Sequence, residues 1–453
     1  MSDEGRGLGT ARLPDRPTAR PAARPPHVLT ITCHDLGRYL GCYGVGSVRT
    51  PTLDALAAAG VRCTGAFCTA PGCSPSRAAF ATGRYPHSNG VLGLAHHPFD
   101  WDLAPGERHI AALLGARGYQ THLFGLQHVT LDVARLGFDR VYGRGTGRDV
   151  AAQVAAFLGG PLPDAPLYIE VNLEEPHRPF DQGGVAPDAA RGVLVPPYLP
   201  DNAPTREDLA GLQGAIRAAD EAVGRILAAL DGAGLADSTL VTFTTDHGIA
   251  MPRAKCTLYD PGIETALLLR WPGIAAGAGR VIADLVSNVD FLPTLLAAVG
   301  APPPANLQGR SYLPLLRGDA DTPRDAVYAE KTYHSYYDPM RAIRTARHKF
   351  IRNFASTFAV EVPGDVQQGG AFRSDVARYV GGVHPPAELY DLATDPWEAD
   401  SLAGRPEAAA TERDLDTRLW SWMAATGDPL LLGPVPSPAY RRALRQRQGG
   451  AGG

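Results

Sequence analysis

Lysine is scarce in this sequence. Only Lys255, Lys331 and Lys349 are lysines among 43 basic residues, so arginine is the default cation and a lysine at a chemical position is informative. Cysteine is sparse too. Six in 453 residues do not make a disulfide framework, and small buried thiols are the expectation for most of them. No apolar run approaches the roughly 20 residues that a membrane-spanning helix needs. Residues 1–26 are rich in Arg, Pro, Ala and Gly and lack the apolar core of a secretory signal. A disordered leader and a cytoplasmic location are therefore expected. A basic surplus is also missing. The formal net charge of −4 argues against a nucleic-acid binder, which must neutralise phosphates.

What is present is an ordinary globular balance, 44% hydrophobic and 20% charged, with 51 glycines and 40 prolines that imply many loops. The length suits two or three domains, or one large α/β domain and a smaller one. Order is expected from Val28-Leu29-Thr30-Ile31-Thr32, a short β-branched run that reads as a buried strand and ends in Cys33-His34-Asp35. Strands are also expected over 119–124, ending near Gln127-His128, over 167–173, ending in Glu174-Glu175-Pro176-His177, over 239–245, ending in Asp246-His247-Gly248, and over 265–270. Helices are expected over 52–60 with Thr52 as cap, over 105–118, and over 205–230, where Leu209, Leu212, Ile216, Val223, Ile226, Leu227 and Leu230 recur at three- and four-residue steps.

This alternation predicts an α/β fold with a mostly parallel sheet and helices on both faces. In such sheets ligands bind beyond the carboxyl ends of the strands, so the scattered His, Asp and Glu clusters should gather at one edge. Past Pro304 the pattern turns β-rich, over 327–332 and 340–353, which predicts a smaller antiparallel C-terminal subdomain. The expected boundaries are a catalytic domain over 27–304, the subdomain over 305–435 and a disordered basic tail over 436–453.

The segment Cys73-Ser74-Pro75-Ser76-Arg77-Ala78-Ala79-Phe80-Ala81-Thr82-Gly83-Arg84 carries the most chemical information. Pro75 suits the first turn of a helix and Ser74 is a candidate cap. Cys73 would then lie at a helix N-terminus, where free N–H groups attract an anion, with Arg77 one turn on. The stretch Cys73-Ser74-Pro75-Ser76-Arg77, continued by Thr82-Gly83-Arg84-Tyr85-Pro86-His87, resembles the activation signature of the sulfatase family. The likeness extends over roughly residues 27–430 and includes Thr50-Pro51-Thr52-Leu53-Asp54, Thr244-Thr245-Asp246-His247-Gly248 and Glu388-Leu389-Tyr390-Asp391. Glu175-Pro176-His177-Arg178, Leu258-Tyr259-Asp260-Pro261-Gly262 and Asp338-Pro339-Met340-Arg341 are similar to the heparan N-sulfatase (N-sulfoglucosamine sulfohydrolase) branch.

The resemblance implies an alkaline-phosphatase-like α/β sandwich with a small C-terminal subdomain. It implies that Cys73 is oxidised to Cα-formylglycine by a separate formylglycine-generating enzyme. The hydrated aldehyde carries two hydroxyls: one attacks sulfur to give a covalent sulfo-enzyme, and the other collapses back to aldehyde and expels sulfate. It further implies one divalent cation held by His34, Asp35, Asp246 and His247 with residue 73, calcium being the family's usual ion. Lys255 and His128 match positions that contact the sulfate, and Arg77, one turn into the helix, is expected to point back to the same spot. His177 and His128 are both candidates for the acid that protonates the leaving group.

Two positions depart from the family. Most sulfatases have two adjacent aspartates where this chain has His34-Asp35. Imidazole in place of a carboxylate leaves magnesium or manganese open beside calcium, and leaves His34 either a ligand or a neighbour of the ligands. Many members also have Gly-Lys-x-His where this chain has Gly125-Leu126-Gln127-His128, which removes a cation. Three activities follow as expectations. The first is hydrolysis of a small sulfated substrate, a sugar or aryl sulfate or sulfamate. The second is phosphonate monoester or phosphodiester hydrolysis on the same scaffold. The third is a catalytically impaired binding protein in which Cys73 stays a thiol. His96 and His97 are possible substrate contacts in a loop, and His87, His109, His122, His334, His348 and His384 are read as structural.

Overall fold

The computed structural model describes residues 24–275, 277–320 and 322–449. Residues 1–23 of the expected leader lie outside them.

Strands β1 (His27–Cys33), β2 (Val61–Cys63), β3 (Ala66–Phe67), β4 (Gln120–Gly125), β5 (Arg140–Val141), β6 (Leu167–Asn172), β7 (Thr239–Thr245), β8 (Leu267–Arg270), β9 (Arg280–Ile282) and β10 (Val286–Ser287) lie in the larger part of the chain. Eight of them form one sheet in the order β5-β4-β6-β1-β7-β8-β2-β9, parallel except where β8 meets β7 and β2. The central strands are continuous apolar runs because both faces are covered. On one face Leu29, Ile31, Val241 and Phe243 pack against Leu209, Leu212, Ile216 and Val223 of the helix Ala203–Gly232. On the other, Val28, Tyr168 and Leu240 meet Ile110, Leu114, Phe291 and Leu295. The remaining strands, β11 (Ala326–Tyr333), β12 (Tyr337–Thr345), β13 (His348–Asn353) and β14 (Ala387–Asp391), form the antiparallel sheet expected from the C-terminal pattern.

Parallel register is what builds the functional edge. Cys33 pairs with Thr245, Thr32 with Asn172 and Gly125 with Asn172. Four strands therefore end at one level, and the polar residues that follow them emerge side by side.

Several local expectations need correction. Helix α1 runs over Pro51–Ala59 with Thr50, not Thr52, at the cap position. Its free N–H groups at Thr52 and Leu53 donate instead to the carboxylate of Asp220, on the long helix, at 3.1 and 2.8 Å. The 105–118 helix shortens to Ile110–Gly115, because His109 caps it by accepting from Ala111 N at 3.1 Å. The basic tail is not wholly irregular: Pro438–Gly449 is a helix, held by Arg442 to Asp100 at 2.8 Å. All six cysteines are free thiols, five of them buried. No described helix is long and apolar enough to cross a membrane.

Gly125 shows how tightly the strand ends are fitted. Its φ is +84°, and a Cβ there would come within 2.1 Å of the Asn172 carbonyl oxygen. Replacement Gly125→Ala is expected to lower stability by about 2 kcal/mol or more through backbone strain and this collision. Urea unfolding measures it, and an unchanged midpoint would show that the strand ends have slack.

Candidate active site

Cys73 opens helix α2 (Cys73–Thr82), with Gly72 in the cap position and Pro75 in the first turn. Ser74 does not cap this helix; its hydroxyl accepts from Ala95 N at 2.9 Å and so ties down the 91–97 loop. Cys73 Sγ is buried, 3.3 Å from His247 Nε2, 3.8 Å from His34 Nδ1 and 3.9 Å from Asp35 Oδ1.

The two strand-end pairs meet here because β1 and β7 are neighbours in register. Asp35 N donates to Asp246 Oδ1 at 2.9 Å, with Asp35 itself at a φ of +48°. His34 Nδ1 lies 2.9 Å from Asp35 Oδ1 and 3.4 Å from Asp246 Oδ2. His247 Nε2 lies 3.0 Å from Asp35 Oδ1, while its Nδ1 is engaged by the Gly248 carbonyl at 3.0 Å. One ligand atom from each of His34, Asp35, Cys73, Asp246 and His247 falls within 4.8 Å of the other four.

Cations surround these anions. Arg77 Nε donates to Asp246 Oδ2 and Nη1 to Asn172 Oδ1, both at 3.0 Å. Lys255 Nζ donates to Asp35 Oδ2 at 2.6 Å and to Asp365 Oδ2 at 2.8 Å. The electrostatic balance is visible in the side chains. Burial would push the His34 imidazole down, but Cys73, Asp246 and Asp35 outweigh it and raise its pKa to about 9. His247 is likewise raised against burial, by Asp246 and Asp35. Burial would raise the Cys73 thiol, yet His34 and Lys255 bring it well below its usual value.

His128 and His177 stand on the open side. With His34, Leu126, His96, His97 and Arg144 they line a cleft of about 660 Å³. The His34 and His177 rings are 4.7 Å apart edge to face, and His96 stacks on His128 at 5.1 Å. Burial lowers the pKa of both His128 and His177. His128 Nδ1 and Arg77 Nη2 are buried polar atoms without a hydrogen-bond partner. Both residues line a second, smaller cavity of about 20 Å³, roughly the room of one water.

All nine residues singled out from the sequence are thus found at one sheet edge, Lys255 and His177 at its Asp35 side. His97 is exposed, and only His96 of that loop pair reaches His128. Four neighbours were not anticipated. Asn172 ends β6 opposite Thr32 and could have been found as a strand terminus. Ser76 donates to the Asp246 carbonyl and accepts from Asn288, whose place follows from the pairing of β10 with β3. Asp365 comes from the loop after β13 and carries no sequence signal.

Lys255 is nearly enclosed, so removing it strands two carboxylates. In metal-free protein, Lys255→Met is expected to destabilise the fold by roughly 3 kcal/mol, the order seen when one member of a buried ion pair is deleted. Urea unfolding in a chelator tests this; a gain in stability would mean that Asp35 takes up a proton without penalty.

Comparison with known proteins agrees with this geometry. The sulfatase family model matches residues 26–168 and 149–301, and the model for the C-terminal part of N-sulphoglucosamine sulphohydrolase matches 251–368. N-sulphoglucosamine sulphohydrolase of Homo sapiens is 30% identical over 475 residues, spanning 91% of this chain and 92% of that protein. A protein solved in complex with its substrate D-glucosamine-2-N,6-O-disulfate superposes with a TM-score of 0.71 at 19% identity, over 89% of this chain and 99% of that one. The phosphonate monoester hydrolase of Agrobacterium radiobacter superposes with a TM-score of 0.69 at 22% identity, over 88% and 96%. The architecture is alkaline-phosphatase-like, and this chain belongs to the sulfatase family of hydrolases.

Proposed function

We propose that the protein hydrolyses a sulfate ester or sulfamate, using a formylglycine made from Cys73 beside one divalent cation. The observation that carries this reading is the position of Cys73: first residue of α2, buried, and within 4 Å of His247, His34 and Asp35. The donor set fits a divalent ion. Asp35 and Asp246 offer hard oxygens, and His247 presents Nε2 to them because Nδ1 is held by a carbonyl. The anionic pull that raises the two histidines is the same pull that favours a cation there. Asp35, Asp246 and His247 would hold the ion, with His34 and residue 73 completing the set. The ion would supply positive charge at the sulfate oxygens.

The chain's own residues have distinct tasks. The N-terminus of α2 and Arg77 hold the sulfate oxygens, and Lys255 adds a second cation. Leu126 contributes apolar wall instead of charge. His177 and His128 face the leaving group across the cleft, placed to donate a proton to oxygen or nitrogen as the bond to sulfur breaks. The cleft volume suits a small sulfated sugar or aryl group in a cytoplasmic enzyme. Because folded Cys73 is buried, a formylglycine-generating enzyme would act before the chain closes over it.

The decisive experiment combines mass and activity. In protein from cells that contain the maturation enzyme, the peptide bearing residue 73 should have exchanged sulfur for oxygen and lost two hydrogens. That protein should turn over an aryl sulfate faster than the matching aryl phosphonate, and Cys73→Ala should abolish turnover. An unmodified thiol with no turnover would leave a binding protein; a preference for the phosphonate would move the reading to the second activity.

Metal dependence is a separate expectation. A chelator should stop turnover and lower the unfolding temperature, since an ion that binds only the folded state stabilises it. Calcium, magnesium and manganese returned one at a time identify the ion. Full activity in chelator would remove the cation from the reading.

A further inference from the structure

A second set of metal-ligating side chains is buried behind the segment that leads into Cys73. Cys256 follows Lys255 in the loop after β7, His334 lies in the turn between β11 and β12, and Glu361 lies in the chain after β13. All three are buried, and one ligand atom from each falls within 4.8 Å of the other two. Cys256 is a free thiol. His334 Nδ1 stands 3.8 Å from Glu361 Oε1. Two ligands of a tetrahedral zinc, on bonds of about 2.1 Å, are separated by roughly 3.4 Å. The Glu361 oxygens have separate tasks. Oε2 pairs with Lys331 Nζ at 2.7 Å, while Oε1 accepts from Ser335 N at 2.8 Å and keeps a second lone pair.

The surroundings hold these three in place. Cys256 N donates to the Pro71 carbonyl at 2.9 Å, and Lys331 Nζ donates to the Cys256 carbonyl at 2.9 Å. His334 reaches the same segment, its Cδ2 lying 3.4 Å from where a Cβ on Gly72 would stand. A cavity of about 10 Å³, the room of one water, is lined by Pro71, Gly72, Cys256, Lys331 and His334. Negative charge is in surplus. Asp338 and Glu361 both pair with Lys331, at 2.6 and 2.7 Å, so two carboxylates face one ammonium, with the imidazoles of His334 and His384 beside them. A dication bound to a thiolate adds one net positive charge and closes that balance.

We propose that Cys256, His334 and Glu361 bind a structural zinc ion, with a water from the adjoining cavity as fourth ligand. Thiolate sulfur and imidazole nitrogen suit a borderline-soft dication, in contrast to the carboxylate oxygens that favour a hard ion at the strand ends. On binding, the Cys256 S–H bond breaks, sulfur keeps the electron pair for the metal and the proton leaves to solvent. The ion would join the loop after β7, the turn after β11 and the chain after β13, and so brace from behind the residues that precede Cys73. The site goes beyond the hydrolytic reading and does not depend on it.

The test uses the full chain carrying Cys73→Ala, so that the thiol of the strand-end cluster is gone. Cobalt(II), the probe for zinc, should give a thiolate-to-metal charge-transfer band at one equivalent, and zinc should displace it. Cys256→Ser and, separately, His334→Gln should abolish the band and weaken zinc binding about 100-fold or more, with the far-ultraviolet circular dichroism unchanged. In excess calcium, zinc should still raise the unfolding temperature of the Cys73→Ala protein and should not raise it once Cys256→Ser is added. Crystals of the Cys73→Ala protein grown with zinc decide the matter if either further variant fails to fold, since anomalous scattering should peak among Cys256, His334 and Glu361. A cobalt band that survives Cys256→Ser, no band in the Cys73→Ala protein, or no anomalous peak at the three residues would overturn the proposal.

Discussion

Two carboxylates buried side by side are the constraint from which the rest of the site follows. Asp35 and Asp246 end adjacent parallel strands, so sheet register alone brings them together. Neither can stay ionised in a dry interior without compensation. The structure answers from four directions: Arg77 from one turn into α2, Lys255 from the loop after β7, and His34 and His247 from the strand ends themselves. Recruiting Arg77 brings the start of α2 to the sheet edge, and Cys73 with it. A helix N-terminus, a reactive side chain and a set of hard ligands thus converge because one electrostatic demand is met.

The two departures from the family's usual pattern bear on this balance in opposite directions. His34 brings an imidazole where a third carboxylate would add negative charge; its Nδ1 hydrogen-bonds to Asp35 and lies 3.4 Å from Asp246. Leu126 removes a lysine from the cleft wall. The cluster therefore needs less positive charge than a three-carboxylate site, and the wall supplies less. His34 is also the residue joining the cluster to the cleft: Nδ1 is on the aspartates while its ring stands edge-on to His177.

How much of this could be read from residues alone depends on the distance over which each effect acts. Apolar strands with polar ends and the 3.6-residue rhythm of the long helix are local signals, and β1, β4, β6, β7 and the Ala203–Gly232 helix lie within a few residues of expectation. The Cys73 motif was legible for the same reason. Capping was misread wherever a distant group supplied the partner. Thr52 lost its expected role to Asp220 across 168 residues, and Ser74 turned to the Ala95 amide. Asp365 was invisible because its role depends on where a loop of the C-terminal part lands. Of the three lysines, Lys255 alone lies against the strand-end cluster. Lys331 and Lys349 are buried in ion pairs of the antiparallel sheet.

Those two lysines nevertheless explain why the antiparallel sheet belongs to the site. Lys331 Nζ donates to the Cys256 carbonyl at 2.9 Å and pairs with Asp338 and Glu361. Lys349 Nζ donates to the Leu258 carbonyl at 3.0 Å and pairs with Asp260 and Glu398. Both reach across, from β11 and β13 of that sheet, to the backbone that directly follows Lys255. That backbone turns sharply, with Cys256 at a φ of +68°, and has no regular secondary structure of its own until Asp260. A flexible ammonium end, with three donors on a long stem, can satisfy a carbonyl and two carboxylates at once, whereas a planar guanidinium needs its acceptors in one plane. Lysine survives in an arginine-rich chain where a bent loop must be fixed from behind, and the first residue of that loop is the cation that faces Asp35. The second sheet is thus a buttress for the charge balance at the edge of the first.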